Sequence, residues 1–319
     1  MTVDVGPDGA TPRVSVVVPV FNAIRFLPRT APPLRAAVTA HGAAELLFVD
    51  NGSTDASAPW LRDHGARVLS APNATVSGVR NAGARAASGR ILAFVDSDCI
   101  VSDNYLTEIE RTLQDAGVHA CGSRYRLPES PHWIERVWHD LHEQPGQTNA
   151  VYVPAGNFAI RKSVFDAIGG FREDLLTGED ADIGLRLTEA GYVIRYAPAV
   201  SVVHLGNPAS LRDFYRKQRW HGLGMFGTVR TSRLDRPVFM TLMHAAIIVV
   251  ALVMLRAGPI SGVLLLLAGV WLVPAASVAF RVRRGARVGG SVLRAILLYQ
   301  LYYFARLAAL ASLVTRRGR

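Results

Sequence analysis

The C-terminal stretch restricts the fold of this 319-residue chain more than any other feature. From Arg236 to Arg319 there are eleven arginines and no Asp, Glu or Lys. Between Arg236 and Arg256 lie 19 residues without a formal charge, and between Arg256 and Arg281 lie 24 more. A bilayer core takes about 20 apolar helical residues to cross, so each run is long enough. Arg256-Ala257-Gly258-Pro259 reads as the tight turn joining them. The alternative, a buried hairpin in a soluble core, is disfavoured because runs this long and apolar are uncommon there. The arginines at 281, 283, 284 and 287 follow the second run. By the positive-inside rule that loop, and with it the N-terminal portion, is expected on the cytoplasmic side of the inner membrane. The last segment, 288–314, carries Arg294, Gln300 and Arg306 with Tyr299, Tyr302 and Tyr303. A crossing would put Arg316, Arg317 and Arg319 outside, so an interfacial amphipathic helix is preferred here to a third membrane helix.

The formal charge of +10 is therefore a local property. Without those eleven arginines, residues 1–235 hold 24 basic and 25 acidic side chains. A nucleic-acid binder shows its basic patch on the folded domain, so no nucleic-acid partner is expected. A basic apolar tail points to anionic lipid head groups. The first ten residues are polar and acidic, without an apolar core of a signal peptide, and 1–12 reads as a disordered tail. Cys99 and Cys121 form neither a metal-finger pattern nor a disulfide framework, and Cys99 reads as a small packing residue in a reducing compartment.

Ahead of the tail, strand-like and helix-like segments alternate, which predicts a right-handed parallel α/β sheet. Strands are expected at Val14–Val20, Leu46–Val49, Val68–Leu69 and Ile91–Val95. Pro19 marks the point where the first strand leaves the sheet. Pro28, Pro32 and Pro33 confine the first helix to about Leu34–His41. Further on, a helix is expected over Asp103–Ala116 and a strand over Cys121–Leu127. Residues 128–150 read as a long loop with a short helix. A strand around Gly156-Asn157, a helix over Lys162–Ile168 and another over Ala181–Ala190 follow. Two short strands, Tyr192–Tyr196 and Val200–Leu205, precede a basic aromatic helix from Leu211 to Gly222.

Acidic residues collect at the ends of these elements. Asp96-Ser97-Asp98 follows the apolar run Ile91–Val95 directly. Two carboxylates at the carboxyl end of a buried strand are costly unless a cation sits there, and ligands of open α/β sheets bind at that end. The pair is read as holding a hard divalent cation, which in turn holds a diphosphate; a capped turn is the alternative. Asp50 to Asp55 and Glu179-Asp180 with Asp182 form two more clusters. Asp180, before a helix, suits a general base whose pKa Glu179 adjusts; helix capping is the alternative. Arg80, His204, Arg216 and Arg219 are candidate diphosphate partners, because arginine matches phosphate geometry better than lysine.

Six segments taken together resemble the family 2 glycosyltransferases with a GT-A fold, of the membrane-anchored bacterial type. They are VSVVVPVFN (14–22), FVDNGSTD (48–55), RNAGARAASGRILAFVDSD (80–98), GNFAIRKSVFDAIGGF (156–171), GEDADIGLRLTEAGY (178–192) and His204. The resemblance implies an α/β GT-A fold with a Rossmann-like nucleotide-sugar-binding sheet over 13–235, divided into a nucleotide-binding half (13–110) and an acceptor half (111–235). Two transmembrane helices over 236–281 and a basic amphipathic or third membrane helix over 282–319 follow. It implies a UDP-, dTDP- or GDP-linked donor and Mg²⁺ or Mn²⁺. Pro19, Asp50, Asn51, Arg80, Asp96 and Arg219 would hold the donor, and Asp98 and His204 the metal. Glu179, Trp220, Gly156 and Asn157 would meet the acceptor, and Asp180 would be the base. Asn51 stands where a second aspartate is frequent, which leaves the identity of the donor's nucleobase open. The implied reaction is inverting transfer to an acceptor hydroxyl on a lipid-linked or cell-envelope glycan. A non-catalytic nucleotide-sugar-binding scaffold is the alternative, and both Asp98 and Asp180 speak against it. A nucleotidyltransferase is discounted because Pro19–Phe26 lacks a Gly-rich phosphate loop.

Overall fold

The structure is a computed structural model that describes residues 11–143, 148–151, 153–225, 236–288 and 291–317. Most of the expected N-terminal tail, part of the expected 128–150 loop, the end of the expected catalytic domain and Arg319 lie outside the described residues. The chain forms two compact units. One comprises the chain up to Pro128 with Gln147–Gly206, and the other comprises Glu129–Gly146 with Asn207–Arg319.

The first unit opens with β1 (Val14–Val20), α1 (Leu27–His41), β2 (Ala44–Asp50), α2 (Ser57–Asp63), β3 (Val68–Ser70), α3 (Val76–Ala86) and β4 (Ile91–Val95). The four strands pair in parallel in the order β3-β2-β1-β4. Strand β1 is buried on both faces. Val14, Val16, Val18 and Val20 pack with Leu27, Ala31 and Leu34 of α1, while Val17 packs with Val79 and Ala84 of α3. That explains its unbroken apolar run. Pro19 pairs only with β2, because the β4 ladder stops at Val17, so its missing N–H falls where no second neighbour needs it. Helix α1 begins seven residues earlier than its prolines predict. Pro28 sits in the first turn, where an N–H has no intrahelical partner. Pro32 and Pro33 lie inside the helix, and burial of Leu27, Ala31, Leu34 and Ala37 offsets their lost bonds.

After β4 come β5 (Cys99–Val101), α4 (Tyr105–Gln114) and β6 (Ala120–Gly122), then α5 (Trp133–His142) of the second unit. The first unit resumes with β7 (Asn149–Ala150), β8 (Asn157–Arg161), α6 (Lys162–Ala167), α7 (Glu179–Glu189), β9 (Ile194–Tyr196) and β10 (Val202–His204). The eight-stranded sheet is mixed rather than parallel throughout, because β8 runs antiparallel to both β4 and β6. Hydrophobic periodicity marks a buried strand but carries no sign of its direction. A separate two-stranded sheet pairs β5 with β10 antiparallel, and β5 has no counterpart among the expected strands.

In the second unit α8 (Leu211–Met225), α9 (Arg236–Ala257), α10 (Pro259–Arg283) and α11 (Val292–Arg317) accompany α5. Its core gathers Ile134, Val137 and Leu141 of α5 with Phe214 of α8, Val273 and Val278 of α10 and Leu298, Tyr299, Tyr302 and Tyr303 of α11. Three helical stretches are long and apolar enough to cross a membrane: Pro237–Arg256, Ile260–Arg283 and Val292–Ser312. The first two coincide with the uncharged runs. The third is one continuous helix, so by length and composition it too can cross a membrane, where an interfacial helix is expected from its charges.

Candidate active site

Strand β4 carries Asp96-Ser97-Asp98 out of the sheet. A short return fixes the pair: the Cys99 N–H donates to the Asp96 carbonyl at 3.0 Å, and Thr30 Oγ1 donates to the Ser97 carbonyl at 2.8 Å. Cys99 is buried in the core, as its role of packing residue requires. Pairing of β5 with β10 sets Cys99 opposite His204, and the Leu205 N–H donates to the Asp98 carbonyl at 2.9 Å. His204 Nε2 thereby lies 3.3 Å from Asp98 Oδ2. The two residues are 106 apart in sequence, and a two-strand ladder joins them.

The chemistry of this pair fits a divalent cation. An imidazole nitrogen and a carboxylate oxygen suit Mn²⁺, and a carboxylate suits Mg²⁺. One ligand atom from each of Asp98, Cys99 and His204 lies within 4.8 Å of the others. A Cβ at Gly206 would overlap Asp98 Oδ2, so the backbone approaches the carboxylate as closely as glycine allows.

Asp96 points the other way in its bonding. Its Oδ1 accepts from Arg80 Nη2 at 2.7 Å and its Oδ2 from Tyr125 Oη at 3.1 Å. Tyr125 also stacks on His204, with ring centroids 4.5 Å apart at 20°. Burial acts to raise the Asp96 carboxyl, but Arg80, and after it His204, outweigh burial and hold it below its ordinary range. A Cβ at Gly156 would overlap both Asp96 Oδ2 and Tyr125 Oη. Tyr125 carries no motif that flags it in the sequence.

Arg80 is the hub. It is 3% exposed on α3, and its second terminal nitrogen, Nη1, donates to Glu179 Oε1 at 2.7 Å. Each terminal nitrogen thus holds one carboxylate, and the guanidinium ties the two acids together. Burial works against its charge, and Asp96 with Glu179 more than restores it. Glu179 likewise gives Oε1 to Arg80 and is buried.

Helix α7 starts at Glu179, two residues before the predicted start, after Gly178 in a left-handed turn with φ +87°. Asp180 therefore lies in the first turn, where Ala181 N–H donates to its Oδ1 at 2.8 Å. Its carboxyl is pushed up to about 7, by burial first and then by the neighbouring Glu179 charge. Asp182, third acid of the cluster, is tied to Arg186 one turn on at 2.8 Å.

The remaining expected donor residues stand at the ends of β1 and β2. Pro19 and Val49 are register partners, and Asp50 closes an Asx-type turn by accepting from the Gly52 and Ser53 N–H groups. Asn51 exchanges two bonds with the Ala74 backbone, at 2.9 and 3.0 Å. One lone pair and one amide hydrogen remain to it for other partners. Asn157 is fully buried: its Nδ2 donates to Ser123 and Val200, and its Oδ1 accepts from Tyr105 Oη. It is a strut, and the expected acceptor contact does not fit it. Arg219 and Trp220 lie on α8 of the second unit, both exposed.

Residues 15–172 match the model of Glycosyl transferase family 2. The chain belongs to glycosyl transferase family 2. Among relatives of this glycosyltransferase family, the glycosyltransferase AglE of Haloferax volcanii is 26% identical over 70% of this chain and 76% of its own length. The pre-mycofactocin glycosyltransferase of Mycobacterium tuberculosis is 31% identical over 68% of this chain, which spans only 47% of that relative. The mannosyltransferase PcManGT of Pyrobaculum calidifontis, solved with GDP-Man and Mn²⁺, superposes with a TM-score of 0.58 at 19% identity, over 96% of this chain and 89% of its own. That likeness establishes the GT-A fold expected from the sequence.

Proposed function

We propose that this family 2 member is an inverting glycosyltransferase that moves a sugar from a nucleoside-diphosphate donor to an acceptor hydroxyl at the cytoplasmic face of a membrane. One observation carries the reading. A base-like Asp180, pushed up to about 7, stands beside Glu179, and Arg80 ties Glu179 to Asp96, two residues before Asp98. A carboxyl poised near neutrality can accept a proton from an attacking hydroxyl. A carboxylate held ionised can accept hydrogen bonds from donor hydroxyls. Mn²⁺ and GDP-Man accompany the PcManGT structure, which supports a divalent metal and a nucleotide-sugar here.

In this reading Asp98 and His204 hold a divalent cation, which when bound offsets the charge that develops on the departing diphosphate. Asp96 orients the donor sugar. Asp180 takes the acceptor proton while the hydroxyl oxygen attacks the anomeric carbon, and the bond to the diphosphate breaks on the opposite side. Such a single displacement inverts the anomeric configuration. The three apolar helices and the arginines after the second of them favour an acceptor presented at the membrane, such as a lipid-linked glycan.

The test is a donor screen with the full chain in detergent. UDP-, GDP- and dTDP-sugars are each incubated with Mn²⁺ or Mg²⁺, and hydrolysis and melting temperature are followed. One nucleotide is expected to give metal-dependent turnover that Asp98→Asn removes. Binding without any hydrolysis or transfer would replace the enzyme by a scaffold.

A further inference from the structure

Helix α8 has two faces. Arg216, Arg219 and Trp220 are exposed, whereas Phe214, Gln218, Gly222 and Gly224 are buried. The buried face meets α11. A Cβ at Gly222 would come within 2.6 Å of Ala309 Cβ and 3.2 Å of Arg306 Cδ, so α11 side chains leave no room for a side chain there. Arg306 reaches across this seam. Its Nη2 donates to Gln218 Oε1 at 3.4 Å, and its guanidinium lies 4.8 Å over the Tyr302 ring. Its Nε is buried without a hydrogen-bond partner.

Lys217 and His221 flank Gln218 on the same helix, and the charges of Lys217 and Arg306 both bear on His221. No acid on its own helix faces Arg306, since residues 236–319 contain none. Asp213, the acid of α8, pairs with Arg216 and Ser210, and among the described residues no ion pair reaches Arg306. A half-buried guanidinium with a donor left over is costly in apolar surroundings unless an anion joins it. Its position along the helix says which anion. Arg306 lies six residues before Ser312, the end of the third apolar stretch, or about 9 Å along the axis. Long basic side chains near the end of an apolar helix reach the head-group layer from such a depth.

We infer that Lys217, Gln218 and Arg306 form a binding site for the phosphate group of a membrane lipid at the seam of α8 and α11. The planar fork of Arg306 supplies paired donors to the phosphate oxygens, Lys217 adds a point charge, and Gln218 orients the fork. The site holds this seam against the bilayer surface and is independent of the transfer chemistry.

The inference is tested on the full chain purified in detergent, with added phosphatidylglycerol, diacylglycerol or inorganic phosphate. Lipid retention is read by native mass spectrometry and protection by melting temperature. Arg306→Gln is compared with Arg283→Gln, which removes the same charge from an exposed position. Phosphatidylglycerol is expected to protect wild type and Arg283→Gln, with at least a fivefold loss of retained lipid in Arg306→Gln, and diacylglycerol is expected to protect neither. Should Arg306→Gln fail to fold, Lys217→Gln and Arg306→Lys carry the same comparison, each with reduced retention. Equal retention in the 306 and 283 variants would overturn the site. Equal protection by inorganic phosphate would overturn its assignment to a lipid.

Discussion

Replacing Glu179 by Gln tests the heart of the proposed mechanism. The amide keeps an oxygen for Arg80 Nη1, so the 2.7 Å contact has a successor and the fold is preserved. Only a charge disappears. Asp180 stands at about 7, raised by burial and then by Glu179. Removing a like charge this close lowers the pKa by roughly one pH unit. Arg80, whose charge already pulls Asp180 down, loses one of its two neutralising partners, and that acts in the same direction. Asp180 is half-buried, and solvent screening keeps the change near the lower end of the range. The acid limb of turnover, expected near pH 7 in the wild type, should move to about pH 6 in Glu179→Gln. At pH 6 the wild type would then hold roughly a tenth of its base ionised and the variant about half, a gain of about fivefold relative to each plateau. The assay is transfer rate against pH from 5 to 9 at saturating donor and metal. An acid limb that stays in place, or moves upward, would refute the coupling. A wild-type profile without any limb near 7 would remove Asp180 as the base.

Further expectations follow from the same contacts. Asp180→Asn should cut transfer by roughly 10²–10⁴-fold while donor binding, read by calorimetry, stays within about twofold. The folded state raises this carboxyl, so its ionisation costs stability as pH climbs from 3.8 to about 7; the Asn variant should therefore melt higher than wild type at pH 8 and equal to it below pH 4. Tyr125→Phe keeps the stack on His204 but removes the bond to Asp96, which at about 1 kcal/mol should lower kcat/KM for the donor by roughly five- to tenfold with metal affinity unchanged. Gly156→Ala should drive its methyl into Asp96 and abolish donor binding while the far-ultraviolet circular dichroism of the chain persists.

Much of the fold was legible because local rules and the global fold agree in its first half. The apolar runs at β1, β2 and β4 appear where parallel interior strands require them, and the uncharged runs 237–255 and 257–280 become α9 and α10. Failures cluster where long-range pairing decides. The direction of β8 and the existence of β5 rest on partners distant in sequence. The site divides in the same way. A lone acid at an element end is an ordinary cap, so Asp96, Asp98 and Asp180 stand out only as members of a series of motifs in order. Arg80 stands in a motif, but its carboxylate partners Glu179 and Asp96 come from two other elements and leave no mark in the local sequence. Asn157 occupied a motif position but turned out to spend its whole amide inside the core. Tyr125 escaped notice because a lone tyrosine after a short strand carries no pattern of its own.

Covalent order alone determined the acidic pair at the end of β4, the acids at the start of α7 and an apolar tail whose only charges are arginines. These depend on neighbours within a few residues and on periodicity. Tertiary structure decided which charges meet. His204 reaches Asp98 through the β5–β10 ladder, and Arg80 joins Asp96 to Glu179 because α3 and α7 converge on the end of β4. The physical reason is that a buried charge is stabilised only by partners in space. Which residues those are is set by packing, and composition holds no record of it.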